Sequence, residues 1–127
     1  MTTHFQRTTA VFREQGLRKF IDYQKVEFVI PKINKKYDLF NIIDLLVIRP
    51  CVLGVQICGA DYQSHVRKIR DEKKENTIAW LKSGAQLQIW SWRHKLKKRG
   101  GKAKKWVPHI ADVLFVKGEI FIEERWK

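Results

Sequence analysis

The run IIDLLVIRPCVLGVQIC, Ile42 to Cys58, is the most apolar stretch of the chain and the one that most limits how it can fold. Its aliphatic, largely β-branched residues, interrupted at Arg49-Pro50-Cys51, predict two strands joined by a short turn. A three-residue connection sets Ile48 against Val52. Counting back along both strands then puts Asp44 opposite Gln56 and Ile42 opposite Cys58. Side chains alternate with period two, so Asp44, Gln56 and Cys58 share one face, the first two about 5 Å apart at Cβ. Asp44 is flanked by Ile42, Ile43, Leu45 and Leu46. A carboxylate there is expensive to desolvate unless it has a partner or a metal. The hairpin is therefore expected to hold a site as well as a core.

The elements on either side can be read in order. Thr8 or Thr9 can cap a first helix running to about Tyr23, with Ala10, Val11, Leu17, Phe20 and Ile21 on its apolar side. Glu14 falls within that arc. Snorkelling to the rim, or pairing with Arg18 one turn on, accounts for Glu14 as well as a site role does. Lys25 to Pro31 alternates as a strand closed by Pro31. Glu27 on it is a second candidate acid, which a solvent-facing strand position explains more simply. A basic loop, PKINKKY, leads to the hairpin. Beyond it, Tyr62, Val66 and Ile69 step as a helix, with His65, Arg67, Lys68 and Arg70 around it. The polar run DEKKEN at 71–76 breaks or exposes that helix. Asn76 can cap a short one, Thr77 to Ser83, ended by Gly84. Strand, helices, strand predicts a right-handed crossover to a parallel strand at Gln86 to Arg93, with Gln88, Trp90 and Trp92 on one face. Trp106 to Val116 returns as a strand whose Pro108 marks an edge or bulge, and Ile120 to Glu124 is a last strand.

A length of 127 residues suits one domain with a proper core. Apolar residues at 44% and charged residues at 31% exclude a disordered composition. No apolar run approaches the roughly 20 residues of a membrane helix, and the N-terminal stretch lacks an apolar signal core. Cys51 and Cys58 make no disulfide framework, so a reduced, intracellular setting is expected. The histidines and cysteines are not spaced as a zinc site, and there is no phosphate-binding loop or dinucleotide fingerprint.

The charge balance points to a polyanion. Lys and Arg number 26 against 13 acids, a net charge of +13. No acidic residue occurs between Gln86 and Ile110. Within that stretch Arg93, Lys95, Lys97, Lys98, Arg99, Lys102, Lys104 and Lys105 put eight cations in thirteen residues, with Gly100-Gly101 as a turn between two arms. Such a basic hairpin, at 93–106, can lie in a groove or track phosphates. Trp90, Trp92 and Trp106 flank it; packing in the core is the prior for all three, and base stacking the alternative.

Taken together, the segments KVEFVI, YDLFNIIDLLV, LGVQIC, HVRKI and AWLKSGAQLQIWSW, from about Gly16 to Trp92, resemble the PD-(D/E)XK nuclease superfamily. They are most similar to its small phage-type or Holliday-junction-resolvase-like members: an Asp on one strand, a turn, then acid-x-Lys on the next. Gln56 stands here in the acid position and Cys58 in the lysine position. The resemblance implies a single α/β domain of restriction-endonuclease-like fold, a mixed central sheet flanked by helices. It implies Mg²⁺ or Mn²⁺ held by Asp44, Gln56, Glu14 and Glu27, a hard-oxygen set that suits such ions. Asp44 and Gln56 would be catalytic, with Lys68 replacing the usual lysine, because some relatives carry that lysine on a helix. Glu14 enters because resolvase-like members have a glutamate on the first helix that reaches the metal.

The function expected is a divalent-metal-dependent DNA endonuclease, structure-selective for branched DNA, of viral or mobile-element type. It would act in the cytoplasm of a host cell, as a homodimer because two strands need two cuts. DNA would be gripped by Arg67, Lys95, Lys97, Lys98, Arg99, Lys102, Lys104 and Lys105. The alternative, which Gln56 and Cys58 favour, is a non-catalytic DNA-binding module on a degenerate nuclease fold. An RNA-binding protein would fit the charge but leave the acids unexplained.

Overall fold

A computed structural model describes residues 2–30, 32 and 35–126. The elements in chain order are α1 (His4–Glu14), β1 (Tyr23–Lys25), β2 (Phe28–Ile30), β3 (Lys35–Tyr37), β4 (Leu45–Val47), β5 (Leu53–Cys58), α2 (Tyr62–Arg67), a π-helical turn (Lys68–Glu72), α3 (Lys74–Lys82), β6 (Gln86–Leu96), β7 (Lys104–Val116) and β8 (Glu119–Glu124). They build a single α/β domain around a six-stranded mixed sheet in the order β1-β4-β5-β6-β7-β8. Among the named strands of the described residues only β5 and β6 pair in parallel, and α2 and α3 make the crossover between them. β2 and β3 pair as a separate small hairpin. Pro31, Ile33 and Asn34 of the expected basic loop lie outside the described residues. Among the described residues no helix is long and apolar enough to cross a membrane.

The apolar hairpin folds in the register its alternation dictates. Leu45 faces Val55 and Val47 faces Leu53, a register that sets Asp44 against Gln56. Period two then sorts the side chains into two cores. Leu45, Val47 and Val55 join Tyr23, Trp90 and Trp92 on the face that Phe12 of α1 covers. Cys58, Leu87, Ile89 and Val113 join Tyr62, Val66 and Ile69 on the face covered by α2 and the π-helical turn. Gly54 is required on the face covered by the crossover helices, because a Cβ there would lie 2.7 Å from Ile43 Cδ1.

Several boundaries differ from the sequence reading. α1 begins at His4 and ends at Glu14, well before Tyr23. Thr3 caps it, accepting from the Gln6 N–H while the Gln6 side chain accepts from the Thr3 N–H. This reciprocal box satisfies two free donors at once and outcompetes Thr8 and Thr9 as caps. Gly16, at φ 89°, ends the helix. Phe20 and Ile21, placed on the apolar side by the longer helix, are exposed instead. Asp22 explains the new path: its carboxylate accepts from the Arg18 N–H at 2.7 Å and faces Arg49 Nε at 3.4 Å, which ties this turn to the end of β4. The strand expected from Lys25 to Pro31 is split at Val26-Glu27, because Val26 N–H donates to Asp44 C=O and turns inward. α3 starts at Lys74, two residues before Asn76.

The basic hairpin is a two-stranded ribbon that outruns its sheet. β6 and β7 pair from Leu87 with Val113 out to Leu96 with Lys104. Beside them β5 stops at Ser91 and β8 reaches only Ala111. Pro108 therefore sits where β7 has one strand neighbour and its missing N–H breaks no ladder. Trp90 and Trp92 are buried as expected, but Trp106 is 40% exposed. It stacks on His94 at 4.5 Å between centroids and lies 4.0 Å under the Arg7 guanidinium, which braces the ribbon against α1.

One contact ties α1 to the sheet in a way that can be measured. Thr8 Oγ1 accepts from Trp92 Nε1–H at 2.8 Å and donates to His4 C=O at 2.8 Å, fully buried. Thr8→Val keeps the shape and orphans the indole N–H, so urea unfolding should show a loss of about 1–3 kcal/mol. An unchanged midpoint and slope would mean that this bond does not anchor the helix.

Candidate metal centre

Three carboxylates converge beside the apolar hairpin. Ligand oxygens of Glu27, Asp38 and Asp44 all lie within 4.8 Å of one another, with Asp44 buried and the others half-buried. Each arrives by a different route. Asp44 immediately precedes β4; its N–H donates to Val55 C=O and its C=O accepts from Val26 N–H, both at 3.0 Å. The Val26 bond carries the next residue, Glu27, to the same place. Asp38 is returned to Asp44 by a tight loop in which Leu39 and Ile43 exchange backbone bonds at 2.9 and 3.0 Å. The loop needs two successive left-handed residues, Phe40 at φ 51° and Asn41 at φ 63°. Asn tolerates that region, whereas Phe is strained in it. Strain is thus spent between the two aspartates.

The side chains around Asp44 fix its orientation. Its Oδ2 accepts from Gln56 Nε2 at 2.6 Å and from Ile57 N–H at 2.9 Å. With the Gln56 amide turned this way, its Oε1 is buried and has no hydrogen-bond partner. Lys68, at the start of the π-helical turn, donates Nζ–H to Asp38 Oδ2 at 3.1 Å. A π turn shifts the side chains that follow it relative to a regular helix, and here it opens with a lysine that reaches Asp38.

Crowding and burial act on Asp44 together. Burial, followed by the adjacent Asp38 carboxyl, pushes its pKa up to about 7, against the pull of Ile57 N–H and the Gln56 amide. The raised pKa favours a proton where a cation could sit. Three carboxylates and an amide carbonyl are all hard oxygens, the donors that Mg²⁺ and Mn²⁺ prefer. The unpartnered Gln56 Oε1 adds a donor whose burial is otherwise uncompensated. The residues present therefore fit such an ion.

The expected site residues divide cleanly. Asp44, Gln56, Glu27 and Lys68 are brought together. Glu14 is not: it is exposed at the last residue of α1, whose Phe12 packs on the opposite sheet face from Gln56. The shorter helix removes Leu17 and Ile21 from the arc that would turn it inward. Asp38 was missed, although it is the one acid between Glu27 and Asp44. Cys58 lies on the Asp44 face but is neutral, its thiol pushed up to about 12 chiefly by burial. Arg67, Lys95, Lys97, Lys98, Arg99, Lys102, Lys104 and Lys105 are all exposed, the last seven on the ribbon and its turn. No family model, curated protein or solved structure matches the chain.

The raised pKa makes a signed prediction. A folded-state pKa above the unfolded value means that the native state holds a proton which the unfolded chain loses near pH 4. This contribution is complete below pH 4 and is lost as pH rises through about 7. In chelator, stability should therefore fall between pH 4 and 7, and Asp44→Asn should flatten that part of the profile. Equal slopes in the two proteins, measured by denaturant unfolding, would place the proton elsewhere.

Proposed function

We propose that this chain is a divalent-metal-dependent DNA endonuclease of the PD-(D/E)XK type. The observation that carries the reading is the convergence of Glu27, Asp38 and Asp44 with Gln56 and Lys68 on a chain of net charge +13. Asp44, Asp38 and Glu27 would hold Mg²⁺ or Mn²⁺, with Gln56 Oε1 as a neutral fourth donor. A bound ion would supply a lowered water pKa and charge neutralisation at the scissile phosphate. Lys68 brings a fixed ammonium to the edge of the acid cluster, where it can meet the negative charge that develops on the phosphoryl oxygens. Gln56 and Ile57 N–H hold Asp44 in one orientation, so the site needs little rearrangement to receive an ion. The ribbon would track phosphates and give salt-sensitive affinity.

Cys58 favours a second reading, a DNA-binding module that cuts nothing. It stands two residues after Gln56, on the same face, and provides no cation there. Cleavage assays separate the two. On duplex, single-stranded, flap and four-way DNA, the nuclease reading expects Mn²⁺-dependent products. Asp44→Asn should abolish them with DNA affinity retained, and Lys68→Ala should slow turnover by about 10²–10³. Tight binding of the same panel without any product would establish the module instead.

A further inference from the structure

A second cluster lies where β5 hands over to α2, and it differs in chemistry from the carboxylates. We propose that Cys58, Asp61 and His65 form a separate binding site for a borderline-soft transition ion such as Zn²⁺, with a coordination position left open to solvent. The inference does not depend on the nuclease reading. One donor atom from each residue lies within 4.8 Å of the other two. Asp61 Oδ2 is 3.0 Å from His65 Nε2. The donor spacing around a tetrahedral Zn²⁺, with bonds of about 2.0–2.3 Å, is about 3.2–3.7 Å, so side-chain adjustments alone would close the set.

The backbone holds this unit in place. Cys58 ends β5, Asp61 stands at the entry to α2, and His65 follows one turn later. Gly59 N–H donates to Asp61 Oδ1 at 3.1 Å, and Gly59 C=O accepts from Ser91 Oγ–H at 2.8 Å. The segment between the sulfur and the carboxylate is thereby fastened to β6. Access is graded: Cys58 is 5% exposed, the His65 side chain 21% and the Asp61 side chain 61%. An ion can enter past Asp61 and find the sulfur at the closed end.

A second observation points the same way. His65 Nδ1 is buried without a hydrogen-bond partner while Nε2 faces Asp61. Ligation through Nδ1, after a turn of the ring, would satisfy that buried atom directly. Charge is balanced too. A thiolate and a carboxylate cancel a divalent ion, leaving a neutral centre beside Arg93, which donates to Ser91 Oγ at 3.1 Å. A metal-bound sulfur is a thiolate, so binding must release the thiol proton to solvent. Affinity should therefore rise with pH. His4 stays outside the set: its Nδ1 accepts from Arg7 NH1–H at 2.9 Å, which leaves Nε2 as the protonated nitrogen.

The ordinary explanation is an Asp–His pair one helical turn apart beside an inert thiol, and spectroscopy distinguishes it. The full chain, in excess Mg²⁺ and a non-thiol reductant, is titrated with Co²⁺. One equivalent should produce a near-ultraviolet sulfur-to-cobalt band, and Zn²⁺ should erase it. Cys51→Ser and Asp44→Asn should leave the band intact, because neither residue belongs to this site. Cys58→Ser should remove it. Since Cys58 is a core residue, His65→Asn and Asp61→Asn serve as variants nearer the surface, with folding checked by circular dichroism. In His65→Asn, affinity should drop by more than the roughly 10–100-fold cost of losing an outer-shell partner. Absence of a sulfur band in the wild type, or full retention of it in His65→Asn, overturns the proposal.

Discussion

A carboxyl group buried between two strands has to be compensated by hydrogen bonds, a proton or a cation, and the arrangement around Asp44 follows from that requirement. Its Oδ2 takes the Ile57 N–H and the Gln56 amide, both donors supplied by β5. Its backbone joins β5 on one side and Val26 on the other. The same residue therefore closes a gap in the sheet and fixes an acid. Placing Asp38 and Glu27 beside it raises the cost of its charge further, since adjacent carboxylates disfavour joint ionisation. The structure meets this local charge problem with the Lys68 ammonium on Asp38 and a raised pKa on Asp44; the proposed function adds a bound cation.

That problem is maintained by strain. The loop from Asp38 to Asp44 holds a phenylalanine in left-handed backbone conformation, with its side chain 59% exposed. Neither feature assists folding of the loop by itself. What offsets them is Ile42 and Ile43, both fully buried, with Ile43 seated against the bare Cα of Gly54. Burying each contributes about 1.5–3 kcal/mol, enough to hold one unfavourable dihedral. Packing on the hairpin thus positions Asp38, and Lys68 meets it from the helical layer on the same face of the sheet.

The hairpin register, the shared face of Asp44 and Gln56, the parallel crossover and the protruding ribbon were all legible in the sequence. Each rests on a local rule: period-two alternation, short turns, or an acid-free run of cations. The misreadings came from competition between rules. The apolar spacing from Ala10 to Ile21 resembles a helix, but the Thr3–Gln6 box and Gly16 impose a shorter one, and Glu14 goes with the end that moved. Asp38 carries no local signal, because its role arises only when a strained turn folds it back onto β4. Trp106 follows the strand alternation of a core residue, yet it lies where the ribbon has left the sheet, against Arg7, His94 and His4.

The central claim is that the acids around Asp44 are a divalent-cation site. Anomalous diffraction from crystals soaked in Mn²⁺ tests it most directly. The account predicts one strong peak about 2.0–2.3 Å from carboxylate oxygens of Asp44 and at least one of Asp38 and Glu27, the distance expected for hard oxygen ligands. A fully soaked crystal with no peak there, and Asp44 still bonded only to Gln56 and Ile57, would contradict it.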